Sequence, residues 1–229
     1  MGALEHLVRH RPAAGLRRES PDVSSEDVVL TGTHVRLEPL ARDHVPGLVA
    51  AVAEDPLLYR WTPLPFDVDG MTRYVDTAVR WREERTALPF ATLRLSDGKV
   101  IGSTRFFLIE RWDWPAGHPQ AGREGPDACE IGYTWLAASA VRTAANTEAK
   151  VLMLKHAFER WHVHRVCFHT DMRNERSRAA LARIGAVFEG TLRAHRLASD
   201  LIPRDSARFS IIASEWSGVR QRLEQRLAA

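Results

Sequence analysis

The sequence has no apolar run that reaches the roughly 18 residues that a membrane-spanning helix needs. Residues 1–20 alternate charged and apolar side chains, so they lack the apolar segment of a secretory signal. Cysteine is scarce, and its two residues, Cys129 and Cys167, fall in apolar stretches typical of core strands. We therefore expect buried, unpaired thiols, a cytoplasmic location and no membrane partner.

A large charge of one sign is also absent, because the net formal charge is only +3. The arginines near the N-terminus have no aromatic stacking platform or recognised motif beside them, so we expect no nucleic-acid partner. His and Cys do not recur at the spacing of zinc ligands, so no metal is expected. A length of 229 residues with 45% hydrophobic content predicts one domain over residues 31–229, after an arm over residues 1–30.

What the sequence does contain is a strand, a loop and a helix in direct succession over residues 129–161. Residues 129–136, CEIGYTWL, are rich in aromatic and β-branched types, which predicts a buried strand. Apolar residues then recur at the spacing of one helical face, and Glu148 and Lys150 lie off that stripe. The joint at residues 141–146 is rich in small residues. Because the first helical turn has unpaired N–H groups and the positive end of the helix dipole, the joint predicts an anion site.

The rest of the chain gives a coarse order of elements. Strands are predicted over residues 33–40, 88–95, 100–109, 129–136, 165–170, 187–195 and 207–213, and helices over residues 44–53, 71–84, 144–161, 174–184 and 215–227. An Asp-Gly pair at residues 97–98 predicts a hairpin between the second and third strands. This order predicts an α/β fold with a mixed sheet.

The strand, loop and helix resemble the acyl-CoA-binding core of the GNAT superfamily of N-acetyltransferases, in the branch similar to RimJ and RimL. The resemblance continues through RVCFHTDMRNERSRAALARIGAVFEGTLRAH and RDSARFSIIASEW, and it covers residues 33–227. In that family the joint has Gln or Arg, two residues, Gly, one residue, then Gly or Ala; Val141, Ala144 and Asn146 hold these positions here. The resemblance implies a GNAT-like fold, with a mostly antiparallel central sheet of about seven strands and helices on both faces.

The resemblance also implies acetyl-CoA as cosubstrate. Its pyrophosphate would contact the amides of Arg142, Thr143, Ala144, Ala145, Asn146 and Thr147. The pantetheine arm would pair with the preceding strand at Tyr133, Trp135 and Leu136. No metal is implied.

For catalysis, the resemblance places a general base at Glu130, on the central strand. A buried carboxylate there would be a stronger base than one in water. The alternative is a structural glutamate that is paired with an arginine such as Arg105 or Arg36. Both interpretations stay open at this point.

The acid is predicted at Ser177, because Asn174 to Ser177 resembles the family's Asn-x-x-Ser, in which Asn contacts the pantetheine arm and Ser lies near the sulfur. Tyr133 is the alternative proton donor. Asn174 is equally expected to cap the following helix, with Ser177 as its third residue, and the two roles are compatible.

Three further groups are candidates for the acceptor side. The aromatic residues of segment 54–70 either plug the edge of the core or wall an acceptor pocket: Tyr59, Trp61 and Phe66. The insertion at residues 110–127 is a lid, a contact surface of a homodimer, or plain packing. A third group, His195, Asp205 and Ser206, falls on or between the last strands, where residues 204–206 predict a turn.

The sequence therefore predicts an acetyl-CoA-dependent N-acetyltransferase that moves an acetyl group directly to a primary amine, either a protein N-terminus or a small-molecule amine. The alternative is a catalytically impaired acyl-CoA-binding sensor or scaffold, since neither family glycine is present at residues 144 and 146. An acidic cleft would favour a cationic acceptor.

Overall fold

The computed structural model describes residues 28–198 and 200–228, so the predicted arm lies outside it except for residues 28–30. A central sheet has the strand order β1-β2-β3-β4-β5-β6-β8-β7. Its strands are β1 (Leu30–Thr31), β2 (Val35–Pro39), β3 (Ala87–Arg94), β4 (Val100–Glu110), β5 (Ala128–Leu136), β6 (Arg165–Asp171), β7 (Val187–Leu197) and β8 (Pro203–Ile212). Neighbouring strands pair antiparallel except β5 and β6, which are parallel. The mostly antiparallel mixed sheet is confirmed, and the two-residue β1 is the strand that the sequence did not predict.

The α-helices of the described chain follow the predicted order. They are α1 (Val45–Ala53), α2 (Val68–Glu83), α3 (Ala144–Lys155), α4 (Glu175–Arg183) and α5 (Trp216–Ala228). The helix predicted through residue 161 is corrected, because α3 ends at Lys155 and a π-helical turn, His156–Arg160, continues it. The wider turn lets the rings of His156 and Trp161 both pack on Phe106, at centroid distances of 5.9 and 4.7 Å.

Helices cover both faces of the sheet, as side chains of β4 show. Because successive residues of a strand point to opposite faces, Thr104 and Arg105 mark the two sides. Thr104 contacts the Met153 sulfur of α3 at 3.6 Å, whereas Arg105 donates to the Tyr74 hydroxyl of α2 at 2.8 Å. We call these sides the α3 face and the α2 face.

The sheet splits between its two parallel strands. Pairing of β5 with β6 covers only Ala128 to Glu130 against Arg165 to Cys167, although both strands continue beyond. Beyond Glu130 the outer edge of β5 is therefore unpaired with β6, and a cleft opens between them.

A bulge lies in β5 beside the split. Ser103 pairs with Trp135 and Arg105 pairs with Gly132, so two residues of β5 oppose one residue of β4. The bulged Tyr133 has a left-handed backbone with φ of 51°. A bulge of this kind turns side chains away from the normal alternation.

Polar residues of α3 that the pattern placed off the apolar stripe are buried. The Glu148 carboxylate is 6% exposed and accepts from the backbone N–H groups of Thr33, His34 and Val35 at 2.8, 2.6 and 2.7 Å. A Cβ on Gly32 would lie 2.3 Å from that carboxylate, so the turn before β2 requires glycine there. Glu148 thus fixes the start of the sheet onto α3.

The two cysteines are buried and unpaired, as predicted. Cys129 and Cys167 belong to β5 and β6, where burial raises the pKa of the Cys129 thiol well above its ordinary value. None of the helices within residues 28–198 and 200–228 is both long and apolar enough to cross a membrane.

Candidate active site

A cavity of about 2250 Å³ occupies the split in the sheet. Its walls come from β4, β5 and β6, from α2, from the N-terminal turns of α3 and α4, and from the β7–β8 hairpin. The cavity therefore reaches from the start of α3 to the α2 face of the sheet.

The start of α3, where the sequence predicts an anion site, is a capped helix N-terminus. Thr143 is the N-cap, and its hydroxyl accepts from the Ala145 N–H at 3.2 Å and donates to the Ala140 carbonyl at 2.8 Å. Arg142, Thr143, Ala144, Asn146 and Thr147 line the cavity, whereas the Ala145 side chain is buried in the core. Helix α3 thus directs its first turn towards the cavity.

The missing family glycines cause no backbone strain. Ala144 and Asn146 are the first and third residues of α3, where a right-handed helical backbone suits any L-residue. The left-handed position of this joint is Arg142, with φ of 61°. The departure from glycine therefore adds side chains near the anion site but does not distort the loop.

The strand predicted to hold the pantetheine arm has one free edge. Trp135 and Leu136 pair with β4 on the other edge. The Trp135 side chain is 4% exposed and packs edge-on against Tyr59 at 5.8 Å, so only its backbone can serve a ligand. The Leu136 carbonyl already accepts from the Tyr59 hydroxyl at 2.9 Å.

Asn174 and Ser177 take the predicted capping geometry. The Asn174 side chain accepts from the Ser177 N–H at 3.0 Å, and α4 begins one residue after Asn174. Both residues line the cavity. In the described part of the chain the Ser177 hydroxyl makes no hydrogen bond, so it is free to serve a ligand.

Glu130 lies where β5 and β6 separate, and it lines the cavity while only 3% exposed. Its Oε2 accepts from His169 Nδ1 at 2.7 Å and lies 3.6 Å from Arg196 Nη2. Because an ionised carboxylate only accepts, this contact places the imidazole proton on Nδ1. Glu130 is thus held by β6 on one side and by β7 on the other.

The predicted partners of Glu130 are wrong. Arg36 pairs with Glu38 on the same strand, and Arg105 bonds to Tyr74 instead. The reason is the register, which sets Arg105 opposite Gly132 and directs its guanidinium into the aromatic side chains of α2.

Tyr133 lies on the α2 face beside Glu130. Its ring contacts Phe107 at 5.1 Å and Trp81 at 5.7 Å, and the Arg105 guanidinium lies 4.1 Å from its centroid. Burial raises the pKa of the Tyr133 hydroxyl, an effect that the positive charge of Arg105 partly offsets. The phenol therefore stays protonated over the working pH range.

The β7–β8 hairpin brings His195, Arg196 and Arg204 to the cavity. Burial, reinforced by the charge of Arg196, lowers the pKa of His195 to about 4. The turn predicted at residues 204–206 is wrong, because these residues belong to β8. Ser206 is buried, and neither it nor Asp205 lines the cavity; the Asp205 carboxylate accepts from the Ala194 N–H at 2.8 Å.

Of the aromatic residues in segment 54–70, Tyr59 and Trp61 line the cavity, whereas the Phe66 side chain is 48% exposed and lies outside it. The segment therefore contributes both to the core, through Tyr59, and to the cavity wall, through Tyr59 and Trp61.

The 110–127 insertion packs against the chain between α3 and β6. Trp112 stacks on His164 at 5.2 Å, and Trp114 donates to Asp127 at 2.9 Å. Arg123 donates to the carbonyl groups of residues 161 and 162. Residues 111–127 do not line the cavity, so packing is the role that the geometry favours.

Sequence reasoning missed His169, Arg196 and Arg204. His169 stands in an otherwise apolar strand, RVCFHTD, and that polar interruption was a usable signal. Nothing in the sequence distinguishes Arg196 and Arg204 from the many other arginines, because only the hairpin register brings the two together.

A helix N-terminus beside a strand with a free edge, and a carboxylate on that strand, is the arrangement that the resemblance implies for N-acetyltransferases. Residues 34–187 match the acetyltransferase (GNAT) domain family, and the chain belongs to that family. No curated protein matched the sequence.

Solved structures agree with the fold. A GCN5-related N-acetyltransferase from Brucella melitensis is 27% identical, with a TM-score of 0.76 over 93% of this chain and 90% of that one. RimJ from Mycobacterium smegmatis, solved in complex with CoA-disulfide, is 20% identical, with a TM-score of 0.71 over 87% and 95%. RimL, a ribosomal L7/L12 α-N-protein acetyltransferase, is 17% identical, with a TM-score of 0.67 over 81% and 94%. RimJ and RimL therefore share the fold of this chain.

Proposed function

We propose that this N-acetyltransferase uses acetyl-CoA and transfers the acetyl group directly to a primary amine, with Glu130 as general base. The observation that carries the proposal is the place of Glu130: a buried carboxylate faces the cavity at the point where β5 and β6 part. An amine that enters from the α2 face and a thioester on the free edge of β5 would meet there.

The residues present fit acetyl-CoA. The first turn of α3 offers unpaired amides to a pyrophosphate, capped by Thr143, with the exposed Arg142 beside them. The free edge of β5 offers backbone groups to an extended pantetheine arm. When bound, acetyl-CoA supplies an activated acetyl thioester.

Each chemical step has a residue on the cavity wall. Glu130, directly or through one water, takes the proton that the acceptor ammonium loses, and the free amine forms the new C–N bond. As the C–S bond of the thioester breaks, Ser177, whose hydroxyl is unengaged, donates a hydrogen bond to the thiolate or relays to it the proton that the new amide nitrogen loses, so that the serine ends protonated. Tyr133 is the second donor, since its phenol stays protonated.

A second candidate function is an acyl-CoA-binding sensor without turnover. One observation favours it: the Glu130 carboxylate is already held by His169 and Arg196, as in a structural ion pair. The two functions differ in turnover, not in cofactor binding.

The first test is calorimetric titration with acetyl-CoA and with CoA, followed by a broad panel of amines. We expect micromolar binding and turnover of at least one amine. Glu130→Gln should retain acetyl-CoA affinity and lose about 10²- to 10⁴-fold in turnover, most at low pH where free amine is scarce. Ser177→Ala should slow turnover more than it weakens binding.

Glu189→Gln is the matched control, because Glu189 is likewise paired with arginines but lies outside the cavity. Its turnover should match that of the wild type. Tight binding without turnover of any amine would support the sensor instead. A Glu130→Gln pH profile that overlays the wild type would leave Glu130 structural.

A further inference from the structure

The cavity is strongly basic. Its lining carries ten arginines and one lysine against three glutamates. This is the opposite of the acidic cleft that would favour a purely cationic acceptor. Arg142 lies at the start of α3, where we place the pyrophosphate, but three other arginines lie around Glu130.

The three arginines are Arg105, Arg196 and Arg204, which we call the arginine cluster. Arg105 lies on the α2 face, and the other two project from the β7–β8 hairpin. Helix α3 and its anion site belong to the opposite face. The arginine cluster therefore borders the side of the cavity on which the proposed function places the acceptor.

The arginine cluster is under-neutralised. Arg105 is 1% exposed, and in the described chain it has no carboxylate partner, only the Tyr74 hydroxyl and aromatic rings. Arg204 has no ion pair with any described residue, and its Nε is buried without a hydrogen-bond acceptor. Arg196 reaches Glu130 at 3.6 Å, but that carboxylate already accepts from His169 at 2.7 Å. Among the described residues, Glu130 is therefore the one carboxylate within ion-pair distance of the arginine cluster, and it reaches only Arg196.

The hairpin places two of these charges against each other. Arg196 and Arg204 are directly opposite in the β7–β8 register, where side chains point to the same face. Like charges at such positions are destabilising. Burial lowers the pKa of Arg204; the negative charge of Asp171 opposes this shift, and the positive charge of Arg196 reinforces it. The cost is explained if an anion occupies the space between them.

The backbone also directs this pair into the cavity. A register shift lies between Leu192 and Arg196, and Ala194 has a left-handed φ of 46°. The Asp205 carboxylate fixes the bulge by accepting from the Ala194 N–H at 2.8 Å. Bulges beside a cavity re-aim side chains, and here they re-aim His195 and Arg196.

We propose that the acceptor is a primary amine that carries its own carboxylate a few bonds from the nitrogen, and that Arg196 and Arg204 bind this carboxylate. The proposal rests on the proposed acetyl transfer. The arginine cluster would repel a bare ammonium. In an acceptor that also carries a carboxylate, the carboxylate neutralises Arg196 and Arg204, and the amine of the same molecule lies next to Glu130. Free amino acids and peptides with an acidic N-terminal residue both have this chemistry.

Matched acceptors test the proposal. The pairs are L-alanine against L-alaninamide, and a tetrapeptide beginning with Asp against one beginning with Asn. For at least one pair we expect kcat/KM to favour the carboxylate by about 10-fold or more, since hydrogen bonds between charged groups are stronger than those to a neutral amide. The pair that shows the preference identifies whether the carboxylate belongs to a free amino acid or to the acidic N-terminal residue of a peptide. Equal kcat/KM within both pairs would overturn the inference.

Arg204→Gln should reduce kcat/KM for the carboxylate acceptor by about 10-fold, should not reduce it for the amide acceptor, and should leave acetyl-CoA affinity unchanged. Arg193→Gln is the matched control, because Arg193 is exposed on β7 of the same hairpin and lies outside the cavity. An equal loss for both acceptors in Arg204→Gln would also overturn the inference.

A binding measurement separates this inference from the proposed function. Calorimetry in the presence of CoA compares N-acetyl-L-alanine with its amide, and the N-acetylated Asp peptide with the Asn peptide; none of these needs turnover. Selective binding of a carboxylate, lost in Arg204→Gln, would support the acceptor site even if no amine were acetylated. Turnover without carboxylate preference would sustain the proposed function and remove this inference.

Discussion

Lys150 gives the sharpest prediction outside the proposed chemistry. Its side chain is buried in α3, and its amine donates to the Thr134 hydroxyl at 2.7 Å and the Thr104 hydroxyl at 3.4 Å. It has no ion pair with any residue of the described ranges. Burial alone lowers the pKa of Lys150 from 10.5 to about 7. The folded protein therefore holds this amine largely neutral above neutral pH.

The sign of the pH effect follows from proton binding. Between pH 7 and pH 10.5 the unfolded chain binds the Lys150 proton and the folded chain does not. The free energy of unfolding should therefore rise with pH across this window. At about 1.4 kcal/mol for each pKa unit, the rise from pH 7 to pH 9 is about 2 kcal/mol. Because of this buried amine, the free energy of unfolding at pH 7 is about 4 kcal/mol lower than at high pH.

The perturbation is Lys150→Met, which keeps the volume and removes the titration. The Thr104 and Thr134 hydroxyls lie 2.8 Å apart, so they still satisfy each other. Urea unfolding at pH 7 and pH 9 gives the stability of each protein, and the difference between wild type and variant cancels all other titrating groups. We expect the variant to be more stable at pH 7, and its advantage to shrink by about 2 kcal/mol at pH 9.

The control is Lys155→Met, on the same helix, whose amine is partly exposed and 3.9 Å from Glu224. The difference in free energy of unfolding between Lys155→Met and the wild type should change little between the two pH values. A difference for Lys150→Met that is constant with pH would refute the reasoning, because it would mean that the amine is charged in both states.

Two further stability predictions concern buried charge. Glu148→Gln should lower the free energy of unfolding by about 2–4 kcal/mol, since backbone N–H groups of the turn before β2 lose their charged acceptor; urea unfolding measures it, and a loss below about 0.5 kcal/mol would contradict it. Arg204→Gln should raise stability by up to about 1 kcal/mol because it removes the repulsion from Arg196 on the paired strand. A thermal melt that is lower than that of the wild type would argue that the pair is not strained.

Local patterns were sufficient to predict the longer helices and strands. The strand over residues 129–136 and the helix start at Ala144 follow from residue type and periodicity, and the structure places them at Ala128–Leu136 and Ala144–Lys155. The capping of α4 by Asn174 is likewise a local signal, because a cap depends on residues that are close in the chain.

The partners of buried charges were not predictable in this way. Glu130 meets His169 through the parallel pairing of β5 with β6, and Arg196 through the hairpin that follows it. Both contacts join residues that are far apart in the chain. Glu148 and Lys150 show the same limit: a helical stripe identifies the apolar side of α3, but not which polar side chains the sheet will cover.

The bulge at Tyr133 explains why strand alternation would also misplace the site. A regular strand puts Glu130, Gly132 and Thr134 on one face and Tyr133 on the other. The extra residue reverses this beyond Gly132, so that Tyr133 joins Glu130 on the α2 face while Thr134 turns to Lys150 and α3. One left-handed residue thus assigns the phenol to the acceptor side and a threonine hydroxyl to the buried amine. The chemistry of this cavity therefore depends on a backbone irregularity as much as on the residues that line it.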